Sequence, residues 1–219
     1  MNSINPILKV EGISKSFGEI KVLENANLEV MKGEIILLTG DNGSGKSTLI
    51  RIIAGIIKAN SGSVTFEGKD ITNKRPDAIT KLGISSLLQG GILFPKLYVY
   101  EHFQLALKGA GKIHSTKETE KVYELFPDMQ KISKKRVGLL SGGERQMLAL
   151  SLLIVQDAKL WLLDEPISGL SPLMIKIVSK SIIKYCLESK ITVLLIEQRT
   201  NEFKSIVDKT HIISVGKIL

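Results

Sequence analysis

An apolar strand, a glycine-rich loop and a helix in immediate succession leave this chain few folds to choose from. The run Ile35-Ile36-Leu37-Leu38-Thr39 is followed by Gly40-Asp41-Asn42-Gly43-Ser44-Gly45-Lys46-Ser47-Thr48, which fits G-x-x-x-x-G-K-S/T, and then by a helical pattern over residues 46–57. A continuous apolar run reads as a strand buried on both faces, inside a parallel sheet covered by helices. The glycines let backbone N–H groups turn inward around phosphate oxygens, and the helix points its positive end at them. On that chemistry Lys46 neutralises the β and γ phosphates of a nucleotide, and the Ser47 hydroxyl ligates Mg2+.

Further apolar runs predict strands over residues 84–88, 160–163, 192–196 and 211–215. The first three of these, like residues 35–39, run directly into polar residues: Gln89, Asp164 with Glu165, and Glu197 with Gln198. Ligands of open α/β sheets bind beyond the carboxyl ends of the strands, so these ends are expected to converge on one site. Residues 7–10, 27–30 and 63–66 read as an antiparallel edge sheet, whereas helical patterns dominate residues 90–156, notably 100–108, 117–126 and 144–155. With no internal repeat or linker, residues 1–219 are expected to form a single α/β domain, with a helical subdomain inserted at about 90–156.

Two short motifs carry the remaining chemistry. In Leu160-Trp161-Leu162-Leu163-Asp164-Glu165-Pro166 two carboxylates stand where an apolar strand leaves the core. Asp164 can reach Mg2+ through water, and Glu165 can orient or deprotonate an attacking water. Leu140-Ser141-Gly142-Gly143-Glu144 is open to two readings. Ser141 and Glu144 have the spacing of a capping box, while Gly142 and Gly143 clear side chains from a helix N-terminus that could face an anion.

Composition excludes several alternatives. No apolar run approaches the ~20 residues of a membrane span, and residues 1–10 lack the apolar core of a secretory signal. One cysteine, Cys186, permits neither an intrachain disulfide nor a cysteine metal site, and it reads as a packed helix residue. The three histidines, His102, His114 and His211, are not spaced for a metal. The net charge of +8 is compatible with an anionic partner. The densest basic cluster, Lys131, Lys134, Lys135 and Arg136, has no interleaved aromatics, so no specific nucleic acid is expected.

Taken in order, the phosphate loop, Gln89, Leu-Ser-Gly-Gly-Glu and Leu-Leu-Asp-Glu-Pro resemble the ATP-binding subunit of an ABC transporter over nearly the whole chain. The resemblance implies a P-loop NTPase fold, with a RecA-like parallel sheet core, an antiparallel β edge subdomain and an inserted helical subdomain. It implies ATP and Mg2+ as cofactors, with Gln89 among the metal and nucleotide contacts and linking the core to the helical subdomain. Phe17 matches the aromatic that stacks on adenine. The implied partners are integral-membrane permease subunits and a second ATP-binding subunit, identical or not. The second subunit meets the first head to tail, so that Ser141, Gly142 and Gly143 complete its site. The implied location is the cytoplasm, peripheral on the inner face of the cell membrane.

Within the family, Phe94-Pro95-Lys96-Leu97, Leu125-Phe126-Pro127, Gln146-Met147-Leu148-Ala149 and Gly169-Leu170-Ser171-Pro172 are similar to the branched-chain amino acid importer ATPases, and the lipopolysaccharide export ATPase is a near relation. A soluble ABC-type ATPase of assembly or nucleic acid repair is the alternative from another class. Gln198 stands where the general pattern has a histidine, and can bond a γ phosphate oxygen without becoming cationic. Ser171 stands where an Asp is usual, which weakens the contact expected across the dimer.

Overall fold

Alternate residues of one short strand feed two separate cores. Ile35 and Leu37 pack into one hydrophobic cluster, Ile36 and Leu38 into the other. Trp161 and Leu163 against Leu160 and Leu162, and Val193 and Leu195 against Leu194 and Ile196, divide the same way. Period-two alternation with apolar residues on both faces produces a sheet that must be covered on each side.

The computed structural model describes residues 5–89, 93–112 and 116–219. Its strands are β1 (Leu8–Phe17), β2 (Ile20–Val30), β3 (Ile35–Thr39), β4 (Ser61–Phe66), β5 (Lys69–Asp70), β6 (Ile84–Leu87), β7 (Leu160–Asp164), β8 (Thr192–Ile196), β9 (Lys209–Ser214) and β10 (Lys217–Ile218). The α-helices are α1 (Lys46–Ile53), α2 (Pro76–Leu82), α3 (Val99–Gly109), α4 (Thr116–Leu125), α5 (Pro127–Lys131), α6 (Gly142–Gln156) and α7 (Pro172–Ser189). One sheet has the order β10-β9-β3-β8-β7-β6, all parallel except β10, and the other the order β2-β1-β4-β5, antiparallel throughout. The antiparallel sheet and α1 cover one face of the parallel sheet, while α6 and α7 contribute to the core on the other.

Local chemistry explains where the elements stop. The helix expected over 46–57 ends at Ile53, because Gly55 takes φ +74° and a Cβ there would run into the Lys74 carbonyl. The edge strands are longer than residues 7–10 and 27–30. β1 and β2 form one hairpin, paired from Leu8↔Val30 to Phe17↔Ile20 with register shifts along it. Those bulges break the alternation of side chains that reveals a strand in sequence.

Between β6 and β7 the described residues contain helices and one isolated bridge, Tyr98↔Arg136. Here His102 is buried, its Nε2 accepting the Phe94 N–H at 2.9 Å and its Nδ1 lying 2.9 Å from the Tyr98 carbonyl, so it is a packing residue. His211 lies half-buried in β9, and His114 lies outside the described residues. On α7, Tyr185 stacks on Trp161 with centroids 4.6 Å apart, and burial pushes the neighbouring Cys186 thiol up to about 12, leaving it inert near neutral pH.

Candidate active site

The carboxyl ends of β3, β6, β7 and β8 open onto one cavity of about 480 Å³, walled by Asn42, Gly43 and residues 45–48 of the loop with Gln89, Glu165 and Gln198. Gly45 holds φ +109°, and a Cβ there would sit 2.7 Å from both Leu23 Cδ2 and the Val22 carbonyl. The loop can therefore press against β2 only with glycine at this position. Lys46, 6% exposed, curls back over the loop and donates to the carbonyls of Gly40 and Asp41, each at 2.7 Å, with Ser44 Oγ at 3.5 Å. The ammonium thus already lies among inward-turned backbone, where an anion would replace neutral acceptors.

Behind the cavity wall, Ser47 Oγ donates to Asp164 Oδ1 at 3.0 Å. Asp164 is 1% exposed and its Oδ2 has no hydrogen-bond partner. Burial raises this carboxyl above the ordinary range, with the Ser47 hydroxyl opposing the shift. An orphaned buried oxygen beside a hydroxyl suits a hard divalent cation. Among the described residues no cluster of three or more His, Cys, Asp or Glu could hold a metal alone, so such an ion would need phosphate oxygens and water to complete its shell.

Glu165 follows in the left-handed conformation, φ +52°, with its N–H donating to the Ile196 carbonyl at 2.9 Å. A non-glycine residue in this region is uncommon and is held by its surroundings. Two amides bracket its carboxylate: Gln198 Nε2 lies 3.0 Å from Oε1, and Gln89 Nε2 lies 3.3 Å from Oε2. The same Gln198 nitrogen donates to Asn42 Oδ1 at 2.9 Å, which fixes the orientation of the amide.

Other expected site residues lie apart from this cavity. Ser141 caps α6: its Oγ accepts the Glu144 N–H at 3.2 Å, and its own N–H donates to Glu144 Oε2 at 2.7 Å. The Ser141 N–H holds the Glu144 carboxyl below the usual range. That contribution is complete above the ordinary glutamate pKa and is lost as pH falls through the lower folded value. Gly142 faces Glu165 and Gln89 only across a second cavity of about 650 Å³, whose far wall includes Leu93, Pro95 and Gly138. Gly40 and Asp41 line a smaller adjoining space with Glu197. Phe17 is half-exposed on the same hairpin as Val22, with Lys15 Nζ 5.0 Å from its ring centroid. Ser171 accepts the Met174 N–H at 3.4 Å and so caps α7 within its own chain.

The sequence places Glu197 with Gln198 among the strand ends expected at the site, but no motif gives it a role of its own. It is 3% exposed, and its Oε1 accepts the N–H groups of Gln198 and Arg199 at 2.8 and 3.1 Å. The one signal available was a carboxylate ending a run of five buried residues.

Comparison with known proteins matches residues 23–168 to the ABC transporter family model. The high-affinity branched-chain amino acid transport ATP-binding protein of Pseudomonas aeruginosa is 34% identical over 213 residues, covering 97% of this chain and 91% of that protein. The xylose/arabinose import ATP-binding protein of Sulfolobus acidocaldarius is 32% identical, covering 99% and 88%. Among solved structures, a nucleotide-free ATP-binding cassette from an ABC transporter superposes with TM-score 0.84 at 29% identity, covering 98% of this chain and 90% of that one.

Proposed function

This chain belongs to the ABC transporter family as an ATP-binding subunit that hydrolyses ATP, and from that premise we propose that it powers import of amino acid-like solutes through a separate integral-membrane permease. The observation that carries the hydrolytic part is the convergence of Lys46, Ser47 and Glu165 on one cavity, with buried Asp164 hydrogen-bonded behind Ser47. The branched-chain relatives support the solute class. Among the described residues no helix is long and apolar enough to cross a membrane. A subunit of this kind would work at the inner face of the membrane, on permease proteins that span it.

In this reading the loop from Gly40 to Thr48 wraps the phosphates with backbone N–H groups, while Lys46 leaves its loop carbonyls for the β and γ phosphates. Ser47, and Asp164 through water with Gln89 nearby, would hold Mg2+, which would supply positive charge beside the phosphates. Glu165 takes the proton of the attacking water, and Gln198 bonds a γ phosphate oxygen. Phe17 offers an exposed face to the adenine.

Ser141, Gly142 and Gly143 at the α6 N-terminus do not line this chain's own phosphate cavity. We assign this N-terminus to the γ phosphate bound by a second subunit, which makes ATP a bridge between two helix N-termini. The larger cavity between Gln89 and α6 is where a permease segment would sense the site. The basic cluster does not favour the nucleic acid alternative: Lys131 pairs with Asp128 at 2.8 Å, Lys135 lies 4.0 Å from Glu144, and Arg136 sits over the Tyr98 ring.

Affinity capture of the tagged chain from native membranes, followed by mass spectrometry, should recover a multi-span protein in stoichiometric amount. Recovery of soluble proteins or nucleic acid alone would contradict the transport assignment.

A further inference from the structure

The buried carboxylate that the mechanism leaves unused is Glu197. It sits on the chain immediately before Gln198, 3% exposed, and borders only the smaller space beside Gly40 and Asp41, not the main phosphate cavity. Its Oε1 receives two successive backbone N–H groups, from Gln198 at 2.8 Å and Arg199 at 3.1 Å, which turns the chain sharply as it leaves β8. The Ile167 N–H, in the segment that follows Glu165, also faces the carboxylate and favours its ionised form. Its Oε2 has no partner, and among the described residues no cation pairs with it within 4 Å.

A carboxylate placed for stability alone would be expected to have a counter-charge and full hydrogen bonding. Glu197 has neither, and burial together with the nearby Glu165 charge raises its pKa. What it does hold is the geometry of the turn. The Gln198 backbone must be fixed for one amide nitrogen to reach Asn42 Oδ1 at 2.9 Å and Glu165 Oε1 at 3.0 Å together.

We propose that Glu197 is a positioning residue for ATP hydrolysis, acting through the backbone of Gln198 to hold its side-chain amide between Asn42 and Glu165. The inference rests on the catalytic reading of Gln198 given above. It requires an acceptor oxygen at this depth and no charge transfer from Glu197 itself. Glutamine should therefore substitute for it, and aspartate, one methylene shorter, should not.

The test is steady-state ATPase kinetics of the full chain at saturating Mg-ATP for E197A, E197D, E197Q, Q198A and E197A/Q198A, with melting temperatures alongside. E197A and E197D should lose about tenfold or more in kcat with KM for ATP within about threefold, because the lost contact matters in the transition state and not in binding. E197Q should recover most of that loss. The double variant should be within about twofold of Q198A, since residues acting as one unit are non-additive. If E197A fails to fold, the contrast between E197D and E197Q decides. Wild-type kcat in E197A or E197D beside a slow Q198A, failure of E197Q to recover, or multiplicative losses in the double variant would overturn the proposal. Wild-type turnover by Q198A would remove Gln198 from the reaction, and this inference with it.

Discussion

Glu165→Gln should bind ATP normally and hydrolyse it at least about a hundredfold more slowly, the scale expected when a positioned general base is lost. The carboxylate is bracketed by Gln198 at 3.0 Å and Gln89 at 3.3 Å, and its backbone is fixed at φ +52° by the bond to Ile196. An amide of the same shape leaves the cavity intact and can accept one of those bonds, but it cannot take a proton from water. Blocked hydrolysis should then leave ATP bridging two subunits. Sedimentation velocity should show a dimer with Mg-ATP and a monomer with ADP. A variant turning over at the wild-type rate would exclude Glu165 as the base.

Lys46→Ala should have an effect of similar size at the binding step. The Lys46 ammonium is buried and bonded to two loop carbonyls at 2.7 Å. Exchanging those neutral acceptors for phosphate oxygens makes the bonds charge-assisted, and losing one such bond costs about 1.5–3 kcal/mol. Calorimetric affinity for ATP should fall by roughly 10- to 150-fold by that measure. Because the same side chain ties the loop together, a modest drop in melting temperature should accompany the loss. Unchanged affinity would remove Lys46 from phosphate binding.

The parts of this site that could be read from sequence are those where chemistry and local structure coincide. β3 and β8 match the expected residues 35–39 and 192–196 because both are continuous apolar runs ended by a polar residue. The phosphate loop was legible because glycine is needed where β2 presses against Gly45. Leu140 to Glu144 is legible in sequence only as two alternatives: the structure makes the capping box, leaves Ser141 and Gly142 exposed, and packs Gly143 against Met174.

Three kinds of information stayed hidden. The hairpin from Glu11 to Phe17 is bulged, so its side chains do not alternate, and only its regular first residues read as strand. The helix α2 spans only Pro76–Leu82, with Ile79 its one buried residue, which is too few for a periodic stripe. Glu197 matches no motif, since its Oε1 contacts backbone N–H groups and not the main phosphate cavity. Packing partners far apart in sequence decide such cases, as Gly33 and Thr192 show by bonding across 159 residues.

In the proposed dimer one chain supplies half of each of two ATP sites, its phosphate loop to one and Ser141 to the other. Mixing two inactive variants tests it directly. Lys46→Ala keeps Ser141 intact, and Ser141→Arg keeps Lys46 intact, so a mixed dimer of this chain contains one complete site and one doubly damaged site. If the sites are shared, the ATPase rate of an equimolar mixture should rise to about a quarter of the wild-type rate, from random pairing with one working site in each mixed dimer. A mixture no more active than either variant alone would contradict the account.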